Sequence, residues 1–261
     1  MISRRLRILV PYPAGGLGDI FPRALANAAT EPLGQPIIVE NRPGGTQIIG
    51  AQAAAKATPD GHTLFFGSVT SLAINPASRK NLPYDPLRDF APVTLCFSTP
   101  LYLVVHVGLP AKDVKELIAL ARARPGKLAF ASGGAGTSQH LAGELLRSMA
   151  KLDLIHVPYK GAAPAMTDVQ AGHVAFMFEG GGLHYVRDGK IRVLAVSSAQ
   201  RAPQAPQGPT APESGLRGFE ATIWFGLLAP SGTPAAIVNR LSADIGKVLS
   251  QPRLREQFST V

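Results

Sequence analysis

Arg7-Ile8-Leu9-Val10-Pro11-Tyr12-Pro13-Ala14-Gly15-Gly16-Leu17-Gly18-Asp19 opens on a β-type run, breaks on small residues and leads into a helix. Asp19 is a good N-cap for the segment Ile20–Leu33, because its side chain can accept an otherwise orphaned N–H. With Asp19 there, Pro22 falls at the third helical position, where a missing N–H has no intrahelical partner. Gly34 then stops the helix. Strand, Gly-rich turn and helix are thus set within some thirty residues, and the pattern recurs.

Outward from this unit, Pro36–Glu40 reads as a strand and Ile48–Ala57 as an Ala-rich helix stopped by Pro59-Asp60-Gly61. His62–Phe66 is a strand ending at Gly67-Ser68, and 75–92 reads as loop and turn. Val93–Val107 reads as one or two buried strands. Val114, Leu117, Ile118 and Ala121 repeat at helix spacing. Leu128–Ala131 is a strand, Ser132-Gly133-Gly134-Ala135-Gly136 turns, and Thr137 or Ser138 caps a helix with Leu141, Leu145 and Met149 on one side. Strands at Leu154–Tyr159, Val174–Phe178 and Arg192–Ser197 follow, with a helix at Ala162–Ala171. The Pro-rich stretch 201–212 reads as a surface loop and Trp224–Ala229 as a strand. Thr233-Pro234 opens a last helix with Ile237, Val238, Leu241, Ile245, Val248 and Leu249 as its apolar stripe. Alternating strands and helices predict an α/β protein with a parallel sheet, its ligand at the carboxyl ends of the strands.

Composition narrows the class. The 261 residues are 46% hydrophobic, enough for a real core, and only 16% charged, which excludes a disordered chain. A net charge of +9 favours anionic partners. No Lys/Arg cluster interleaved with aromatics appears, so nucleic acid is not expected. The single Cys96 allows no intramolecular disulfide and no thiolate cage, and no metal or cofactor is expected. No apolar run is long enough for a membrane span. The basic start Met1–Arg7 leads straight into Ile8-Leu9-Val10-Pro11, a strand rather than a signal core, so no export signal is expected in this chain.

Four loops share one design: Pro11–Asp19, Gly67–Ser71, Ser132–His140 and Tyr159–Ala163. Each joins a strand to a helix start through small residues, which lets an anion approach free N–H groups and the positive end of the helix dipole. Hydroxyls at Ser68, Thr70, Ser71, Ser132, Thr137 and Ser138 add donors. Enzyme motifs are missing. Neither Gly16-Leu17-Gly18 nor Gly134-Ala135-Gly136 completes a dinucleotide fingerprint, and no Walker lysine or nucleophile elbow is present. His140 could serve as a general base, but a helix-start or packing role fits it better. Glu179 reads equally as a cleft residue or as a solvated strand end.

The segments Val10–Asp19, Val39–Gly45, Pro59–Leu64, Ala73–Pro76, Leu82–Pro86, Ala131–Glu144, His156–Gly161 and Trp224–Pro230 fall in the order of the Bug family. In these residues the chain resembles the TctC-type receptors of tripartite tricarboxylate transporters, over nearly its whole length. The resemblance implies a two-lobed periplasmic binding protein type II fold with two crossing strands as hinge, near Thr99–Val105 and Thr222–Gly226. Lobe 1 would comprise residues 1–100 plus 225–261, and lobe 2 residues 101–224. It also implies a monomeric, non-enzymatic periplasmic receptor that traps a small organic carboxylate between the lobes and passes it to membrane permease subunits. A sensory receptor of the same fold is the alternative, with a carboxylate-processing enzyme behind it. Carried over by motif, ligand contacts would come from Tyr12, Ala14, Gly15, Gly16 and Ser68 in one lobe. Ser132, Gly133, Thr137, Ser138, Lys160 and Gly161 would serve in the other. Two departures stand out. Glu179-Gly180 replaces the family's usual Asp-Asn after Met177-Phe178, so Glu179 is expected to disfavour a second carboxylate and could hold an amino group. The family's further strand and helix after the last helix are not expected before Val261.

Overall fold

The computed structural model describes residues 5–186, 188–202 and 208–258. These residues form two compact units. Unit 1 runs to Ser98 and resumes at Trp224, while unit 2 runs from Thr99 to Ile223. The chain therefore passes from one unit to the other twice, within two long strands: β4 (Phe90–Pro100) on the way out and β10 (Thr222–Pro230) on the return.

Unit 1 holds β1 (Leu6–Val10), α1 (Leu17–Leu33), β2 (Ile37–Asn41), α2 (Ile48–Ala55) and β3 (Thr63–Ser68). A π-helical turn at Thr70–Ile74 runs into α3 (Asn75–Ser78), and most of β4 and β10, α8 (Ala235–Leu249) and α9 (Pro252–Phe258) complete the unit. The sheet order is β2-β1-β3-β10-β4. β1 pairs in parallel with β2 and β3, through the helical crossovers that parallel strands require. β10 pairs antiparallel with β3. The sheet is thus mixed rather than parallel, because β10 arrives from the other unit rather than through a crossover helix.

Unit 2 holds β5 (Tyr102–His106), α4 (Val114–Ala123), β6 (Ala129–Ser132), α5 (Ser138–Ala150), β7 (Ile155–Pro158), α6 (Ala162–Gln170), β8 (Phe176–Glu179), α7 (Gly182–Val186) and β9 (Ile191–Val196). Its order is β7-β6-β8-β5-β9, with β6 parallel to β7 and β8, and β5 antiparallel to β8 and β9. The long apolar stretch after Pro92 resolves into two strands, β4 and β5, one ending in each sheet.

Several helix readings need correction. α1 begins at Leu17 with Gly16 as its N-cap, so Asp19 is the third helical residue and buried. Its carboxylate reaches back to the Gly15 N–H at 3.1 Å. Pro22 is consequently the sixth helical residue and forfeits the bond to the Gly18 carbonyl. The helix ends where expected, on Gly34 in the left-handed conformation. Residues 70–78, read partly as loop, are helical, and α7 and α9 were not expected; α9 follows the helix taken as last. The Pro-rich loop at 201–212 is only partly described, since 203–207 lie outside the described residues.

On α5 the side carrying Leu141, Leu145 and Met149 is not the buried one. Leu141 and Met149 are exposed, and Ala142, Gly143, Leu146 and Ala150 are buried. α5 lies so close to the sheet that side-chain size, not hydrophobicity, selects its inner face: a Cβ on Gly143 would sit 2.1 Å from Phe130 Cε2. Phe130 is fully buried and stacks on Phe176, with ring centroids 5.8 Å apart. In unit 1 the core is an aromatic stack, Phe66 on Phe225 at 5.2 Å and Phe225 on Phe97 at 4.8 Å, with Phe21 against Phe97 at 4.3 Å. Cys96 lies on β4, and burial pushes its thiol up to about 12, an inert state. No described helix is long and apolar enough to cross a membrane.

Candidate ligand-binding loops

In unit 1 the strand ends of β1 and β3 bring two of the expected residues together. Tyr12 donates its O–H to Ser68 Oγ at 2.9 Å, Ser68 Oγ donates to Gln47 Oε1 at 2.8 Å, and Gln47 Nε2 donates back to the Tyr12 oxygen at 2.8 Å. The result is a closed ring of three hydrogen bonds running in one sense. Ser68 Oγ also accepts the Thr70 N–H at 3.2 Å, so one donated and two accepted bonds saturate it. Its neighbour Ser71 exchanges bonds with the Ser68 backbone at 3.0 and 3.2 Å. These hydroxyls shape the loop, and the Tyr12 ring, set 5.9 Å from Phe225, is held at a fixed angle by them.

Gln47 was not singled out in the sequence. It sits in the left-handed region at φ 75°, buried, after Gly44, Gly45 and Thr46, which also have positive φ. A large side chain held there carries a backbone cost that surrounding contacts must offset. The only sequence signal was a bulky polar residue just after the Gly-Gly of the Val39–Gly45 motif. Replacing Ser68 with Ala would strand Gln47 Oε1 and the Thr70 N–H. Chemical denaturation should show a loss of about 2 kcal/mol; a loss below about 0.5 kcal/mol would deny the ring its structural role.

Ala14 and Gly15 are exposed and Gly16 is half-buried at the α1 N-terminus. The turn is locked from below: Asp19 Oδ1 accepts from Arg23 Nε at 2.9 Å and from Asn41 Nδ2 at 2.8 Å. Asn41 Nδ2 also donates to the Tyr12 carbonyl at 2.9 Å. Burial acts to raise the Asp19 pKa, but the hydrogen bonds from Arg23, Asn41 and Gly15 outweigh it and hold the carboxyl below its ordinary value. The Gly15 N–H is therefore engaged by Asp19.

In unit 2, Ser132, Gly133, Thr137, Ser138 and Gly161 converge where β6, α5 and α6 meet. The Gly161 N–H donates to the Gly133 carbonyl at 3.1 Å, and the Tyr159 N–H to the Ser132 carbonyl at 2.9 Å. Thr137 is the N-cap of α5, accepting from the His140 N–H at 3.3 Å while its O–H donates to the Gly134 carbonyl at 2.8 Å. Ser138 is half-buried at the first helical position, and Lys160 is exposed beside Gly161. Gly161, at φ 125°, occupies a conformation that a side chain would strain.

His156, for which the sequence offered no partner, lies against His140 with ring centroids 4.0 Å apart, and its Nε2 is 2.7 Å from Ser132 Oγ. His140 Nδ1 accepts the Gly136 N–H at 3.1 Å, which is the helix-start role expected of it. Burial lowers the pKa of both rings. The adjacent His140 and Arg147 push His156 further, to about 4. Both rings are thus neutral at pH 7, and Ser132 is oriented by an uncharged imidazole. A histidine held below its unfolded value stabilises the fold above about pH 6.5, and that contribution disappears as pH falls toward 4. Glu179 acts alike in wild type and in His156→Asn, so relative to that variant wild type should lose melting temperature as the pH falls across that window. An equal change in the variant would move the effect elsewhere.

Glu179 closes β8 and, at 3% exposed, is buried rather than a solvated strand end. It accepts from Gln139 Nε2 and, at 3.3 Å, from the Gly181 N–H. Desolvation dominates over these bonds and pushes its pKa up to about 7. Among the described residues no group of three or more His, Cys, Asp or Glu is placed to hold a metal ion.

Two α/β units traversed twice by one chain, each with a Gly-rich loop opening a long helix at its strand ends, define the class of solute-binding receptors. Comparison with known proteins gives the family. Residues 21–260 match the tripartite tricarboxylate transporter family receptor, TctC, and the chain belongs to that family. It is 37% identical to protein BugT of Bordetella pertussis, over 98% of this chain and 80% of that protein. Among solved structures it is similar to the periplasmic binding protein BugD, with a TM-score of 0.94 and 32% identity over all of this chain and 87% of the other. It is equally similar to MatC of Rhodopseudomonas palustris, solved with bound malate, with the same TM-score, identity and share of this chain, covering 89% of that one. The family and the fold are those of periplasmic solute-binding receptors, not of enzymes.

Proposed function

We propose that this receptor captures a small organic dicarboxylate of the malate class in the periplasm, as a monomer, and delivers it to the membrane permease subunits of a tripartite transporter without chemical change. The observation that carries the reading is the construction of the loops. The buried Ser68 hydroxyl is bonded to Gln47, and those of Ser132 and Thr137 to the Gly134 carbonyl of their own turn, so the turns are rigid and preorganised. What they offer an anion is backbone N–H groups at the starts of α1 and α5, where the helix dipole adds to the attraction. The malate found in MatC fits this chemistry, as does the net charge of +9. Exposed Ala14, Gly15 and Lys160 are the groups proposed to meet solvent-borne ligand first.

A thermal-shift screen with malate, citrate and benzoate tests it. A ligand present at a hundred times its Kd adds about 2.7 kcal/mol to the folded state, so the matching acid should raise the melting temperature by several degrees and be recovered unchanged. No shift with any of the three at about 10 mM would sink the reading.

A further inference from the structure

One side chain in unit 2 ties the Ser132–Gly136 loop to the buried carboxylate. Gln139, the second residue of α5, accepts the Gly133 N–H on Oε1 at 2.6 Å and donates from Nε2 to Glu179 Oε2. An ionised carboxylate can only accept. It therefore forces the amide NH2 of Gln139 toward itself and the amide oxygen toward Gly133, where that oxygen occupies a backbone donor of the loop. A protonated Glu179 can donate. The amide can then turn over, with Oε1 facing Glu179 and NH2 facing the loop. Turning over frees the Gly133 N–H and sets a second donor beside it.

We infer that Glu179 and Gln139 form a proton-linked donor switch, so that the Ser132–Gly136 loop takes a ligand carboxylate with uptake of one proton at Glu179. The inference rests on the receptor reading above. Burial of Glu179 brings both of its protonation states within reach near neutrality. Among the described residues, its surroundings leave the switch to Glu179 alone. The titratable neighbours described are Tyr102, its register partner on β5, and Tyr185 on α7. Burial raises both phenols, so they stay neutral through this range. On α5, His140, Glu144 and Arg147 are engaged with one another and with His156. On α6, Asp168 is bonded to Tyr159 and His173. β6, Ala129–Ser132, brings no ionisable side chain.

The test has two arms. In ligand-free protein, the Gly133 amide resonance should titrate with the same midpoint as the Glu179 carboxyl carbon, and E179Q and Q139A should each abolish the Gly133 inflection. A Gly133 resonance that is flat from about pH 5.5 to 8.5, or an inflection that survives in E179Q, overturns the switch. In the second arm, malate binding is measured by calorimetry in buffers of different ionisation enthalpy. Malate is itself fully ionised above about pH 6.5, so uptake there belongs to the protein. Wild type should take up close to one proton at about pH 8 and lose affinity by up to about tenfold per pH unit above its midpoint; E179Q should do neither. Malate binding at pH 8 with no proton uptake overturns the proposal. A failed receptor reading looks different: no malate heat in any variant at any pH, with the Gly133 inflection intact.

Discussion

Gly143→Ala is expected to destabilise unit 2 by about 2–3 kcal/mol and to lower its melting temperature by about 5–10 °C, although alanine is the better helix former. The added Cβ would lie 2.1, 2.5 and 2.7 Å from three atoms of the Phe130 ring. That ring cannot yield. It is fully buried, with His156 stacked at 4.9 Å and Phe176 at 5.8 Å. α5 must then move outward, taking with it the Thr137 cap and His140, which shape the loop beginning at Ser132. Overpacking of this kind exceeds the gain of about 1 kcal/mol that a Gly-to-Ala change brings to a helix interior. Gly246→Ala on α8 is the control. Nothing lies within 4 Å of a Cβ built there, so only the helix gain remains, and its melting temperature should rise slightly. Calorimetric unfolding checks both, and Phe130→Leu in the Gly143→Ala background should recover part of the loss. A Gly143→Ala protein that melts with wild type would mean the α5–β6 spacing is slack.

Glu179→Gln is expected to leave stability unchanged at pH 4 and to raise it by about 3 kcal/mol at pH 8. The carboxyl has an ordinary value of 4.5 and is raised to about 7 in the fold. Below pH 4.5 it is protonated in folded and unfolded chains alike. Between 4.5 and 7 the unfolded chain releases the proton and the folded chain keeps it, so the unfolded state gains. The contribution of this carboxyl to stability therefore falls as pH rises through that window and levels off above 7. At 1.36 kcal/mol per unit, the gap amounts to about 3 kcal/mol. Glutamine fills the same space without the charge and can still meet Gln139 and Gly181. Denaturation at pH 4, 6 and 8 should show the two proteins separating step by step. A variant less stable than wild type at pH 8 would mean the charged form is well compensated where it lies.

These two expectations depend on residues of contrasting legibility. Gly143 stood in a quoted motif, yet nothing local distinguished it from a helix-weakening glycine. The Leu141, Leu145, Met149 series had the better hydrophobic spacing, but the close approach of Phe130 puts the smaller residues inward. For Glu179, solvated and cleft positions were equally consistent with the sequence, because a strand-end carboxylate is buried or not according to what packs over it.

Among the contact residues, the local features of the loops were readable. Thr137 as a cap, Gly34 as a terminator and the small residues at Gly15, Gly16, Gly133 and Gly161 follow from hydrogen-bond and φ requirements within a few positions of one another. The ring of Tyr12, Ser68 and Gln47 joins residues 21 to 56 positions apart. The contact of His140 with His156 joins β7 to α5 across the fold.

By itself, then, the sequence determined the alternation of strands and helices, the glycine-broken loops at helix starts and, through the order of its motifs, the receptor family. Those features depend on backbone geometry and on contacts a few residues long, which the chain carries wherever it goes. Only the tertiary structure decided the sense of β5 and β10 in their sheets, the inner face of α5, the strained Gln47 and the buried, proton-holding Glu179. Each of these depends on desolvation and close packing by segments distant in the chain, and neither quantity exists until those segments meet.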